Sequence, residues 1–207
     1  MGEFLSHTSC WVTKVPLVRD KTYLIIGLFA PLLFLLYGNI SMLLLVLYYA
    51  FNLQNKSCLN KISLQQTLMA FIAIMPIIFA LSFLSKLILS EYSEQEMVIE
   101  LKKDIYKNFL TNFFVILIIA PIFEEIVFRG LFYKALKNFT PFIQASLISS
   151  IVFALIHKNI LSFTILFTLS LFLTWIYERT NSILYPILAH SLFNLTTIIF
   201  ILVENHA

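Results

Sequence analysis

Two adjacent carboxylates and an arginine stand inside an apolar run, Ala120-Pro121-Ile122-Phe123-Glu124-Glu125-Ile126-Val127-Phe128-Arg129-Gly130. Ionisable groups at membrane depth are costly and usually mark function. Glu125 and Arg129 are four residues apart, so on a helix they share a face and can form an ion pair. Glu124 projects about 100° around the helix and has no local partner, which makes it a candidate general base. The alternative is that this run is the solvated end of a helix, although apolar residues continue beyond it.

Two further polar motifs end or interrupt later apolar segments. His157 closes the run Phe153-Ala154-Leu155-Ile156-His157, and Phe153 shares its helix face. A lone histidine at a helix end is more often an interfacial group than a catalytic one. His190 and Asn194, again four residues apart, lie within the last apolar segment. Such a pair commonly links helices by a hydrogen bond, so neither motif alone predicts chemistry.

Together the three motifs hold the groups that amide hydrolysis needs. Glu124 could activate a water with the help of the His157 imidazole. His190 and Asn194 could donate hydrogen bonds to an oxyanion. No serine or cysteine stands out beside a base, so a covalent nucleophile is not expected. Glu124, His157 and His190 could also ligate a catalytic zinc, although the sequence has no His-Glu-x-x-His motif.

The composition indicates that these groups lie in a membrane protein. The 207 residues are 60% hydrophobic and only 12% charged, with a net charge of +3. Soluble domains are about 25% charged, and disordered chains combine low hydrophobicity with high net charge, so both classes are excluded. No basic cluster indicates a nucleic-acid partner. Cys10 and Cys58 are too few for a disulfide framework and lack metal-ligand spacing.

Apolar runs of about 20 residues predict the helices that would position the motifs. We predict an all-α, polytopic transmembrane bundle of about six or seven spans. The charged stretch 91–108 predicts one amphipathic helix on the membrane surface, or else a solvated connecting helix. The expected divisions are an N-terminal polar segment (1–21), N-terminal transmembrane helices with the amphipathic linker (22–108), and a four-helix core that carries the motifs (109–203).

The first apolar stretch, Thr22 to Asn52, is longer than one span requires and contains the pair Gly38-Asn39. It could form one tilted helix or two short helices that turn at this pair. With two helices, most lysines and arginines would lie on the cytoplasmic side, whereas with one helix this asymmetry nearly vanishes. The positive-inside rule therefore slightly favours two helices.

In their order and spacing, the motifs resemble those of the CPBP family, the type II CAAX prenyl endopeptidases and their bacteriocin-processing and immunity (Abi-like) relatives. The family pattern is Glu-Glu-x-x-x-Arg, then Phe-x-x-x-His, then His-x-x-x-Asn. It is matched by Glu124-Glu125…Arg129, Phe153…His157 and His190…Asn194. The resemblance covers roughly Phe109 to Phe200. Asn181 stands where glycine is common in the family, a change that turn geometry tolerates.

The resemblance implies an intramembrane endopeptidase in which Glu124 activates the attacking water, assisted by His157. His190 and Asn194 would form the oxyanion site. Glu125 and Arg129 would hold the first helix in shape, and Phe153 would support the site by packing. It implies no metal cofactor, with zinc on Glu124, His157 and His190 as the alternative.

The expected partners are the lipid bilayer and a membrane-associated peptide or protein substrate, which could be prenylated; no nucleic acid is expected. The expected location is a bacterial cell (inner) membrane, since the richness in Ile, Phe, Lys and Asn is typical of an AT-rich genome. Two other classes of function stay open. A non-catalytic immunity or scaffold protein would bind a peptide or partner without needing the complete set of motifs. A small transporter could use Glu and His as a proton relay, but no paired inverted halves are found.

Overall fold

The computed structural model describes residues 20–51, 61–89, 91–92 and 109–206, and the regular elements in these ranges are all helical. The predicted all-α bundle is thereby confirmed. The predicted amphipathic helix over 91–108 lies outside the described residues, apart from Glu91 and Tyr92. The helices are α1 (Lys21–Phe51), α2 (Lys61–Ile88), α3 (109–136, in five consecutive stretches), α4 (Phe142–Ile156), α5 (Ile160–Thr180) and α6 (Leu184–His206).

Four of the described helices are long and apolar enough to cross a membrane. They span Ser63–Ile88, Leu110–Leu136, Ile160–Thr180 and Leu184–Val203, and two shorter apolar helices cover Lys21–Leu35 and Phe142–Ile156. Large hydrophobic side chains face outward, among them Phe83 at 70% and Leu110 at 81% exposure. A soluble monomer rarely exposes so large an apolar surface to water, whereas lipid chains can solvate it. The chain is therefore a multi-pass integral membrane protein.

Helix α1 is continuous from Lys21 to Phe51, so the slightly favoured two-helix interpretation is wrong. Gly38 and Asn39 lie inside the helix and do not end it. One glycine costs about 1 kcal/mol relative to alanine in a helix. A turn at this depth would leave several backbone groups without partners in an apolar medium, which costs more. The charge asymmetry required two helices in this stretch, so it no longer supports an orientation of the protein in the membrane.

Helix α3 is irregular in two places. Val115–Ile119 and Ile126–Tyr133 are π-helical, and the short α-helical stretch Ala120–Glu125 lies between them. In a π turn the backbone hydrogen bonds run from i to i+5, which widens the helix, and such turns are frequent at functional sites. Glu124 and Glu125 are thus the last two residues of an α-helical stretch that has a wide turn on each side.

Helix α1 packs closely along the second π-helical stretch of α3. The Tyr23 hydroxyl donates a buried hydrogen bond to the Gly130 carbonyl. A Cβ atom at Gly130 would lie only 2.6 Å from Cε2 of Tyr49, so glycine is what permits this approach. On the other side, α2 packs against α5 through Phe71, Met75 and Leu173, among others. The three motifs lie in the interior between the remaining helices, which are α3, α4, α5 and α6.

Candidate active site

Glu125 and Arg129 form an ion pair inside the protein. Arg129 Nη1 lies 2.7 Å from Glu125 Oε1, and both side chains are 0% exposed. The second guanidinium nitrogen, Nη2, donates to Ser170 on α5, to its Oγ at 2.8 Å and its carbonyl oxygen at 3.1 Å. A buried charge is tolerated only when it is paired and hydrogen-bonded. Arg129 therefore links α3 to α5, and one oxygen of Glu125 is already bound to Arg129.

His190 on α6 contacts both carboxylates. Its Nδ1 lies 2.9 Å from Glu125 Oε1, the oxygen that also accepts from Arg129. A carboxylate can only accept, so His190 Nδ1 carries the hydrogen in this contact. The other ring nitrogen, Nε2, lies 3.8 Å from Glu124 Oε2. Glu125 thereby fixes the His190 ring with Nε2 towards Glu124.

His157 approaches Glu124 from the end of α4. It is the residue at the C-terminal cap of that helix, and its Nδ1 lies 2.7 Å from the Phe153 carbonyl oxygen. A carbonyl can only accept, so Nδ1 again carries the hydrogen. Nε2 then lies 4.0 Å from Glu124 Oε2. Two imidazoles from different helices therefore turn the same nitrogen towards one carboxylate oxygen.

Glu124 is the carboxylate without a direct partner. Its Oε2 is buried and has no hydrogen-bond partner among the described residues, while the side chain as a whole is 17% exposed. A water about 2.8 Å from each of the three atoms, Oε2 and the two Nε2 atoms, fits distances of 3.8 and 4.0 Å. The arrangement can thus hold one water against a carboxylate and two imidazoles.

The same donors suit zinc in type, but their spacing is wide for it. Tetrahedral zinc with ligands at about 2.0–2.1 Å puts ligand atoms about 3.3 Å apart. Here Glu124 Oε2 lies 3.8 Å from His190 Nε2 and 4.0 Å from His157 Nε2. Among the described residues, no three His, Cys, Asp or Glu side chains are grouped as a metal site. In this geometry the three atoms are spaced for a water rather than for a tetrahedral zinc.

Phe153 is the packing centre of the site. It is 0% exposed, and its ring centroid lies 4.8 Å from that of His157 and 6.1 Å from that of His190. The Arg129 guanidinium carbon lies 4.9 Å from the same centroid, within the range of a cation–π contact. One aromatic ring thus supports both imidazoles and the buried guanidinium.

Asn194 contacts the backbone of α3 rather than the other motif side chains. Its Nδ2 donates to the Ile116 carbonyl oxygen at 2.8 Å. Ile116 lies in the first π-helical stretch, on the N-terminal side of Glu124. One of the two hydrogens of the Asn194 amide is therefore already engaged.

Two supporting residues, Ser170 and Tyr23, lie outside the three sequence motifs. Ser170 accepts from Arg129, and Tyr23 binds the Gly130 carbonyl. The signal for Ser170 was present, since it is a small polar residue in the apolar run Leu169 to Leu173. A buried arginine on another helix needs such a partner. Tyr23 had no comparable signal, because tyrosine near the end of a span is ordinary.

A groove of about 480 Å³ lies between α2, α5 and α6. It is mainly apolar, with hydroxyl groups along its wall and Lys86 among the lining residues. Phe193 and Leu161 line it, three residues from His190 and four from His157. The groove therefore adjoins two of the motifs along the chain.

Comparison with known proteins shows what the motif-bearing segment is similar to. Residues 106–196 match the model of the type II CAAX prenyl endopeptidase Rce1-like family. YdiL of Bacillus subtilis (strain 168), whose name is that of a putative membrane peptidase, is 35% identical over 82 residues, or 40% of this chain and 34% of the relative. The membrane-embedded CAAX protease MroQ of Staphylococcus aureus (strain USA300) is 33% identical over 100 residues, or 45% and 40%.

A third relative, the UPF0177 protein YxdF of Lactococcus lactis, is 34% identical over 79 residues, 38% of this chain and 43% of the relative. The chain thus matches less than half the length of each of these curated relatives. No solved structure is significantly similar to it. The bacterial relatives and the apolar helices confirm the prediction of a bacterial integral membrane protein. The resemblance inferred from the three motifs is likewise confirmed: residues 106–196, which carry all of them, match the model of the Rce1-like type II CAAX prenyl endopeptidase family.

Proposed function

We propose that the chain is an intramembrane endopeptidase that hydrolyses a peptide bond of a membrane-associated protein or peptide. One observation carries the proposal. The buried Glu124 Oε2 has no hydrogen-bond partner among the described residues and faces Nε2 of both His157 and His190. An unsatisfied buried carboxylate oxygen is costly, and such cost is typical of a group kept for chemistry. Glu125 Oε2 is also buried without a partner in the described part of the chain, but the other oxygen of Glu125 is bound by Arg129 and His190, so Glu124 is the carboxylate that is free to bind a water.

The first step is the activation of water by Glu124. A water held between Glu124 Oε2 and the imidazole of His157 gives its proton to Glu124 while its oxygen attacks the scissile carbonyl carbon. The His157 Nδ1 hydrogen is held by the Phe153 carbonyl, so in the neutral ring Nε2 is an acceptor. His157 can therefore orient the water through its second hydrogen.

His190 is the proposed donor to the oxyanion that forms in this attack. Its Nδ1 hydrogen is held by Glu125, and Nε2, when it also carries a hydrogen, can donate to the oxyanion. A donor that is already oriented lowers the barrier as negative charge develops.

The tetrahedral intermediate collapses when the carbon–nitrogen bond breaks and Glu124 returns its proton to the leaving amine. The water supplies the hydroxyl of the new carboxylic acid, and no covalent enzyme intermediate is needed. Glu125 and Arg129 position His190 and do not exchange protons with the substrate. Phe153 keeps the two imidazoles at their distances from Glu124.

The substrate class follows from the location of the site. The groove between α2, α5 and α6 is mainly apolar and is lined by residues three and four positions from His190 and His157 along the chain, which supports a substrate segment or lipid-modified peptide that approaches from the bilayer. The related MroQ is named as a CAAX protease, so a prenylated peptide is one candidate within this class. An unmodified membrane-anchored peptide is the other.

The test uses the purified full chain in lipid nanodiscs and a library of membrane-tethered peptides. Glu124→Gln keeps the shape of the side chain and removes the base, so cleavage should fall by about 100-fold or more with unchanged thermal unfolding. Glu91→Gln, at an exposed carboxylate, is the matched control and should cleave at the wild-type rate. Wild-type cleavage by Glu124→Gln would refute the proposal and favour a non-catalytic scaffold.

A further inference from the structure

The carbonyl of Ile116 lacks the backbone donors that a helix would normally provide. In an α-helix the N–H of Ala120 would bind it, but the Ala120 N–H donates to the Val115 oxygen instead. In a π-helix the N–H of residue 121 would bind it, but residue 121 is proline and has no N–H. Both ordinary partners are therefore missing at one carbonyl inside an apolar helix.

Asn194 supplies the missing donor. Its Nδ2 lies 2.8 Å from the Ile116 oxygen, across the interface between α3 and α6. We infer that Asn194 is a positioning residue: its amide replaces the absent Pro121 N–H and thereby sets α6 in register with the stretch of α3 that carries Glu124 and Glu125. The consequence for catalysis rests on the proposed function, but the structural pairing does not.

The register matters because α3 and α6 are linked at two levels. At one level Asn194 binds Ile116, and one turn earlier on α6 His190 binds Glu125. Leu117 and Ile198 continue the same interface on the far side of Asn194. A slip of one residue along a helix moves a side chain by about 1.5 Å. The same slip also turns the side chain by about 100° around the helix axis, which would point the His190 ring away from Glu124 and Glu125.

The inference differs from a direct role of Asn194 in the oxyanion site. If Asn194 donated directly to the oxyanion, its removal would lower activity whatever residue stands at position 121. A positioning residue that replaces a missing N–H becomes dispensable once that N–H is restored. Pro121→Ala restores it, because the backbone N–H of the substituted alanine can donate to the Ile116 oxygen in the i to i+5 pattern already present in this stretch.

The experiment compares four full-length proteins in nanodiscs: wild type, Asn194→Ala, Pro121→Ala and the double variant. The turnover number kcat, KM and the thermal midpoint are measured for each. Asn194→Ala should lower kcat by about tenfold or more with little change in KM, and should lower the midpoint. The double variant should recover most of kcat and of the midpoint. An Asn194→Ala defect that is equally large in the Pro121→Ala background would overturn the inference.

Two additions keep the test decisive. Asn194→Leu keeps a side chain of similar size but has no hydrogen to donate, so it should resemble Asn194→Ala; wild-type behaviour would overturn the inference. Thr168→Val, at a partly exposed threonine whose hydroxyl bonds within its own helix, is the control and should change neither kcat nor the midpoint. If the wild type cleaves no peptide, the proposed function fails, whereas the coupling of the thermal midpoints between residues 121 and 194 still confirms or refutes the pairing.

Discussion

Replacing Glu125 by glutamine isolates the energetic role of the buried ion pair. Glutamine keeps the volume and a side-chain oxygen, so His190 Nδ1 keeps an acceptor, but Arg129 loses the only carboxylate that it touches among the described residues. Both partners of the pair are 0% exposed and no water can solvate the remaining charge. Removing one member of such a pair typically costs about 3–5 kcal/mol of unfolding free energy.

The expected cost for Glu125→Gln lies in the lower half of that range, because Ser170 still accepts twice from Arg129 Nη2. Ser170→Ala should cost less, about 1.5–3 kcal/mol, the value of a hydrogen bond to a charged group. The double variant Glu125→Leu with Arg129→Met removes both charges. It should be more stable than Glu125→Gln, since the apolar pair leaves no unpaired buried charge and the loss of the acceptor for His190 Nδ1 costs less than such a charge.

The assay is reversible unfolding of the purified protein in mixed micelles, followed by tryptophan fluorescence, for the three variants and the wild type. The decisive result is the order of the unfolding free energies. A Glu125→Gln cost below about 1 kcal/mol would mean that the pair behaves as a solvated one. The same conclusion would follow if the double variant were less stable than Glu125→Gln. Either result would refute the reasoning from burial.

Other side chains give further predictions. Gly130→Ala would place a Cβ atom 2.6 Å from Tyr49 Cε2 and should cost about 1–3 kcal/mol by the same unfolding assay; an unchanged free energy would contradict the close packing of α1. Asn181 has φ 49° and ψ 31° at the end of α5, so Asn181→Gly should preserve or raise the thermal midpoint, whereas Asn181→Ala should cost about 1 kcal/mol. Peptidase activity should survive a metal chelator, because the site is spaced for a water; loss on chelation that added zinc restores would contradict this.

The helices and the ion pair within α3 were predictable because their signals are local. The long apolar runs of the sequence form helices in the structure, among them Ile160–Thr180 and Leu184–Val203. The i to i+4 spacing of Glu125 and Arg129 allows the ion pair that the structure contains. Apolar run length and four-residue spacing are properties of a single helix, so they can be derived without knowing its neighbours.

Contacts between helices were not predictable in the same way. Nothing near Asn194 in the sequence indicates that its partner is the Ile116 carbonyl, 78 positions away. The π turns arise where the 3.6-residue period fails, and a pattern based on that period cannot find them. Pro121 was the available clue, because a proline within a span frees a carbonyl that must find another donor. The single helix α1 was not favoured from the sequence, because the distribution of lysine and arginine across the membrane was given more weight than the modest cost of Gly38 within a helix.

The four-residue spacing of Glu125 and Arg129 also bears on how the protein enters the bilayer. An unpaired arginine at the centre of a membrane helix costs about 2.5–3.5 kcal/mol on insertion. Because both partners lie on α3, the salt bridge can close as soon as that helix has formed. Ser170 and His190, on α5 and α6, are synthesised later. Helix α3 can therefore leave the translocon with Glu125 and Arg129 already paired, although Glu124 has no such partner within α3, and the later helices then pack onto an inserted segment.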